Sequence, residues 1–143
     1  MEMKNYIGRK AIKAMPMTRK AYNDYRGWEL PSDENGEDEG FLVEYVDGGK
    51  SNHPNHKGYI SWSPKDVFER AYSVSETPLD RLIIEERELG EKTTLLARAL
   101  NKDGVFDIVG KTQYELMTIQ HASMCAYRLT LNARINDLKI KLG

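Results

Sequence analysis

The chain has 143 residues and a mass of 16.4 kDa, the size of one ordinary domain or two very small ones. Its 21 Lys and Arg against 22 Asp and Glu leave a formal net charge of -1, which argues against a general nucleic-acid or membrane binder, since those carry a basic surplus. Hydrophobic residues at 40% suffice for a core, and the single cysteine excludes an internal disulfide framework or a Cys-based zinc site and points to a reducing, cytoplasmic setting.

No apolar run approaches the roughly 18 residues of a membrane span. The opening MEMKNYIGRK lacks the apolar stretch of a secretory signal. Near Ser75–Pro78 the character of the chain changes. Both tryptophans and two of the three histidines lie before that point, with most of the glycines and prolines; after it the periodicity is helical. The expected organisation is a small α+β module over residues 1–75 and a helical hairpin over 76–143, the hairpin serving oligomerisation.

In the first part, Gly8–Met15 alternates weakly and is expected to be a strand. Thr18 is placed to cap a short helix from Arg19 to Arg26, which Gly27 would end. A polar, acidic loop, Leu30–Gly40, follows. Phe41–Val46 and Tyr59–Trp62 read as strands joined by a long polar loop, an antiparallel pair. Ser63-Pro64-Lys65-Asp66 is a helix start, with Ser63 as cap and Pro64 at the first helical position; the helix would reach about Tyr72. The order is β-α-β-β-α.

In the second part, one helix runs from Asp80 to about Leu100, with Thr77 or Asp80 near its start. Asn101-Lys102-Asp103-Gly104 breaks it, Val105–Val109 adds a short turn, and a second helix runs from Lys111 or Thr112 to about Leu142. Heptad-like seam positions are Leu79, Leu82, Glu86, Leu89, Thr93, Leu96 and Leu100 on the first helix. On the second they are Tyr114, Met117, His121, Met124, Arg128, Leu131, Ile135, Leu138 and Leu142. In an antiparallel hairpin, facing residues share a nearly constant sum of residue numbers. Setting Leu100 opposite Tyr114 then puts Thr93 opposite His121 and Glu86 opposite Arg128, polar against polar, with a His121–Thr93 hydrogen bond expected. The fold class is α+β: a small β-α-β-β-α module followed by an antiparallel α-helical hairpin. Leu116, Ile119, Tyr127, Leu129, Ile83 and Ile84 lie off the seam, so the hairpin faces are expected to recruit further copies of the chain.

Residues that could carry chemistry are few. The loop Asp33–Glu39 has acidic ligands but fails the calcium-loop pattern, because its sixth position is Asp38 where glycine is needed; it reads as a solvated loop. His53 and His56 could form half of a metal site, but no third ligand stands at a recognisable spacing, so no metal is expected and a polar loop is preferred. Gly104–Thr112 ends in Gly-Lys-Thr, yet it has five residues between its glycines and a helix before it, which rejects a phosphate-cradling loop. Trp28, Trp62, Tyr45 and Tyr59 read as packing residues. No nucleophile–base constellation is recognisable, so neither catalysis nor a cofactor is expected.

Two stretches carry a resemblance. Tyr6-Ile7-Gly8, Tyr25-Arg26-Gly27-Trp28, Asp38-Glu39-Gly40, Leu42-Val43-Glu44-Tyr45 and Gly58–Glu69 (GYISWSPKDVFE) resemble an accessory module of tailed bacteriophages and prophages, over about residues 6–72. Asp80-Arg81-Leu82, Glu88-Leu89, Gln120, Met124, Tyr127 and Arg134-Ile135 resemble a short phage helical-hairpin family. The hairpin architecture is similar to small anti-CBASS and anti-Thoeris proteins, which trap cyclic nucleotide or cyclic ADP-ribose signals in oligomers. The resemblance implies an anti-defence protein of the bacterial cytoplasm that sequesters such a ligand. Arg128 and Arg134 would hold phosphates and Tyr127 would stack on a base. Glu86, Thr93 and His121 would be structural seam residues. The alternative is a protein–protein interaction module acting on a host or phage protein.

Overall fold

The computed structural model describes residues 1–143 and divides into two compact units, Met1–Tyr72 and Ser73–Gly143. The architecture is mixed α+β, with three strands and five helices.

The first unit is a three-stranded antiparallel sheet, β1 (Ile12–Pro16), β2 (Gly40–Tyr45) and β3 (Ile60–Pro64), in the order β1-β2-β3. It carries helices α1 (Arg19–Arg26) and α2 (Lys65–Ala71). β1 starts later than Gly8 because its ladder begins at Ile12 opposite Tyr45, where β2 ends; earlier residues have no strand to pair with. Both faces of β2 are covered. Leu42 and Ile60 are buried with Tyr22 of α1, and Met17, Tyr25 and Trp62 close that core. On the other face the Phe41 ring stacks on Phe68 of α2 at 3.9 Å. Burying side chains such as Leu42 and Ile60 contributes roughly 1.5–3 kcal/mol each.

The ends of α1 follow the sequence. The Thr18 hydroxyl accepts from Ala21 N–H at 3.2 Å, and Gly27 closes the helix at φ 73, the left-handed conformation that favours glycine. Two N–H groups of its first turn are satisfied by the acidic loop: Arg19 N–H donates to Asp38 O and Lys20 N–H to Gly36 O, both at 2.9 Å. The Asp33–Glu39 segment is therefore docked through its backbone rather than merely solvated. The start of α2 differs from expectation. Pro64 occupies the N-cap position and makes no side-chain cap bond, while Ser63 lies in β3 opposite Phe41. The ladder holds Ser63 in place, and Lys65 N–H is taken by Glu39 O at 3.0 Å.

In the second unit α3 (Pro78–Leu100), α4 (Val105–Val109) and α5 (Lys111–Leu142) form the hairpin and its turn. Thr77 and Asp80 make a reciprocal capping box, with Pro78 in the first turn of α3. In α5 the residues shielded from solvent are Tyr114, Met117, His121, Met124, Arg128, Leu131, Ile135 and Leu138, and no others. These are the heptad-like seam positions; the last one expected, Leu142, is 71% exposed, as the final residue of the helix. Leu82, Leu131 and Ile135 are the buried core, with Leu79, Leu89 and Leu138 packed against them. Leu116, Ile119 and Leu129 are exposed. No helix is long and apolar enough to cross a membrane.

Candidate functional site

Arg128 lies on the seam of α5 and meets α3. Its Nε–H donates to Glu86 Oε1 at 2.7 Å, with the Glu86 side chain 19% exposed and that of Arg128 42% exposed. The seam register read from residue numbers predicts this pair. One turn beyond Glu86 stands Gly90, buried in the middle of α3, where glycine costs about 1 kcal/mol relative to alanine. A Cβ at Gly90 would fall 2.7 Å from Arg128 Nη2, 2.8 Å from Cζ and 3.0 Å from Nε. The guanidinium thus lies in a notch that exists because residue 90 has no side chain. Sequence reasoning passed over Gly90; a lone glycine inside a strong helical pattern, one turn from the partner of an arginine, is the signal that marks it.

Tyr127, the neighbour of Arg128, is half exposed, and its hydroxyl donates to Glu85 of α3. Arg134 is exposed and forms no ion pair. Seven residues separate it from Tyr127, so both share one face of α5, two turns apart. Arg128 points instead to the seam. The structure therefore brings Arg128, Tyr127, Glu85 and Glu86 together, and places Arg134 along the Tyr127 face rather than beside Arg128.

Thr93 and His121 both lie on the seam, but the hydrogen bond expected between them does not form. Thr93 is buried, but its hydroxyl donates to Leu89 O of its own helix at 2.6 Å and not to His121. A threonine inside a helix reaches the carbonyl one turn back by rotation about its own side-chain bond, and that local acceptor wins. The His121 ring lies one turn from Cys125, with Sγ 3.9 Å from Nε2.

The first unit holds a polar constellation that the spacing of His53 and His56 did not reveal. Glu44 Oε1 lies 2.6 Å from His56 Nδ1, and Tyr25 Oη lies 2.8 Å from His56 Nε2. In the tautomer that carries the proton on Nδ1, the ring donates to the Glu44 carboxylate and its Nε2 accepts from the Tyr25 hydroxyl. Glu44 Oε2 also accepts from Gly58 N–H at 3.2 Å. The hydrogen bonds from His56 and Gly58 hold the Glu44 carboxyl below its ordinary range. The His53 ring stacks on Tyr25 at 4.3 Å. Asn52 completes the arrangement by bonding both N–H and O of Ile60, at 2.8 and 2.9 Å, as a strand would. The two histidines therefore fasten the 47–59 loop to α1 and β2. No group of three or more His, Cys, Asp or Glu side chains is arranged to hold a metal ion.

An open groove beside the acidic loop is lined by Arg19, Trp62, Lys65 and several carboxylates. Both cations are already engaged, Arg19 with Glu34 at 2.7 Å and Lys65 with Glu39 at 2.9 Å.

By fold and site, the second unit is an antiparallel helical hairpin with an arginine, a tyrosine and two glutamates gathered across its seam. Residues 76–137 match the family model described as Sequestin. The matched stretch takes in α3, α4 and most of α5, with Glu85, Glu86, Gly90, Tyr127, Arg128 and Arg134, and leaves out the first unit. No curated protein and no solved structure matches the chain.

Proposed function

We propose that this chain is a phage-encoded, non-catalytic binding protein of the bacterial cytoplasm that sequesters a cyclic-nucleotide-type immune signal. The observation that carries the reading is the similarity of residues 76–137 to Sequestin, a name that denotes sequestration, over the segment that contains Tyr127, Arg128 and Arg134. The resemblance of both halves to phage proteins supports the setting. The chemistry of the site supports the ligand class: a guanidinium for a phosphate oxygen and a half-exposed aromatic ring for a base. Leu116, Ile119 and Leu129 leave apolar surface on both flanks of α5, which a second copy would cover, and ligand would bind in the grooves between copies.

Titration calorimetry against cyclic di- and trinucleotides and cyclic ADP-ribose isomers tests the reading. The expected result is saturable heat for at least one of them, with that ligand recovered intact after denaturation. No heat for any member removes the proposal, and light scattering that finds a monomer at micromolar concentration removes its oligomeric part.

The same exposed apolar residues favour a second reading, a module that docks on a host or phage protein. Purified material distinguishes the two: a sequestering protein carrying its nucleotide shows excess absorbance near 260 nm, about the nucleobase maximum, and a protein-docking module does not.

A further inference from the structure

We infer that Glu86 and Gly90 are positioning residues that make Arg128 a fixed fork for a phosphodiester. The inference rests on the anion-holding role given to Arg128 under the proposed function, and adds what orients the side chain and which anion suits it. An exposed arginine on a helix samples many rotamers and must surrender them to bind. Arg128 is held at two points. Its Nε–H is bound to Glu86 at 2.7 Å, and its guanidinium occupies the Gly90 notch, where a Cβ would stand 2.7 Å from Nη2 and 2.8 Å from Cζ. The hydrogen bond uses only the Nε–H. The Nη1 and Nη2 donors have no protein acceptor, neither is fully enclosed, and the side chain as a whole remains 42% exposed.

Charge selects the anion. Glu86 neutralises Arg128, and Glu85, the preceding residue of α3, adds a second carboxylate, bound to the Tyr127 hydroxyl. A phosphomonoester, mostly dianionic at neutral pH, brings two charges against two carboxylates. A phosphodiester brings one charge and still offers two non-bridging oxygens that match the paired Nη donors. The fork is therefore suited to an internucleotide linkage rather than to a terminal phosphate.

The test uses the full chain with ¹⁵N-labelled arginine, following the Arg128 Nε–H resonance while dimethyl phosphate or inorganic phosphate is added at constant ionic strength. Dimethyl phosphate is expected to move that resonance saturably and to bind more tightly than inorganic phosphate. Gly90→Ala is expected to weaken dimethyl phosphate binding by about tenfold, the scale of one lost charge-assisted contact. It should melt no lower than the wild type, because alanine favours the helix and its methyl displaces only the far end of a side chain. Glu86→Gln keeps an acceptor for Nε–H but removes the charge, and is expected to erase the preference for the diester. A wild-type resonance that does not move with dimethyl phosphate, or a Gly90→Ala protein that binds it unchanged, overturns the inference. The two readings fail separately. Calorimetric heat with a cyclic nucleotide that Gly90→Ala leaves intact sinks the fork and spares sequestration. Binding of dimethyl phosphate without heat from any cyclic nucleotide sinks sequestration and spares the fork.

Discussion

Replacing Leu131 by alanine tests the hairpin register where it bears most weight. Leu131 is 1% exposed and sits between Leu82 of α3 and Ile135 one turn on, with Leu79, Leu89 and Leu138 around them. Removing three buried carbons from a close-packed site costs the transfer free energy of those atoms plus the cavity they leave, about 3 kcal/mol within a usual range of roughly 2–5. The second unit runs from Ser73 to Gly143, and a domain of that size loses roughly 4–8 °C in Tm per kcal/mol, so the expected fall is about 15 °C. Far-UV circular dichroism near 222 nm reads this transition, because α3 and α5 supply most of the helix in the chain. Both tryptophans, Trp28 and Trp62, belong to the first unit, so their fluorescence follows that unit in the same sample. A loss of less than about 1 kcal/mol in the dichroism transition would mean that Leu131 is not enclosed, and the antiparallel register would be wrong.

Two further outcomes follow from the same packing and electrostatics. A double-mutant cycle of Glu86→Ala and Arg128→Ala, each of which removes the contact, should give a favourable coupling of about 0.5–1 kcal/mol, the scale of a partly exposed ion pair; zero coupling would contradict the 2.7 Å contact. In the first unit, the bonds from His56 and Gly58 depress the Glu44 carboxyl, so the folded form binds its proton less readily than the unfolded chain. The stability this contributes is fully present above the ordinary carboxylate value and is lost as pH falls through the depressed value. Glu44→Gln should therefore flatten the acid limb of a tryptophan-monitored stability curve, and an unchanged slope between about pH 5 and 2 would refute the His56–Glu44 bond.

The amino-acid sequence by itself determined the seam of the hairpin, the limits of α1 and the neighbourhood in which α3 starts. All three are encoded within a few residues. Apolar spacing near 3.6 repeats along one helix, Thr18 and Gly27 act on the turns next to them, and Thr77 reaches only to Asp80. The pairing of Glu86 with Arg128 was legible for the same reason, since two regular periods and one short connection leave few antiparallel registers. Only the tertiary structure decided the contacts that depend on where single atoms stop. The Gly90 notch becomes visible once Arg128 crosses to α3, and Tyr25, Glu44 and His56 meet only because α1 and the 47–59 loop close over the same face of β2. Thr93 shows the distinction within one residue. Its place on the seam is periodic and was readable, but its bond goes to Leu89 rather than His121, because a hydroxyl takes whichever acceptor lies within hydrogen-bond reach, and the helix's own carbonyl is always there.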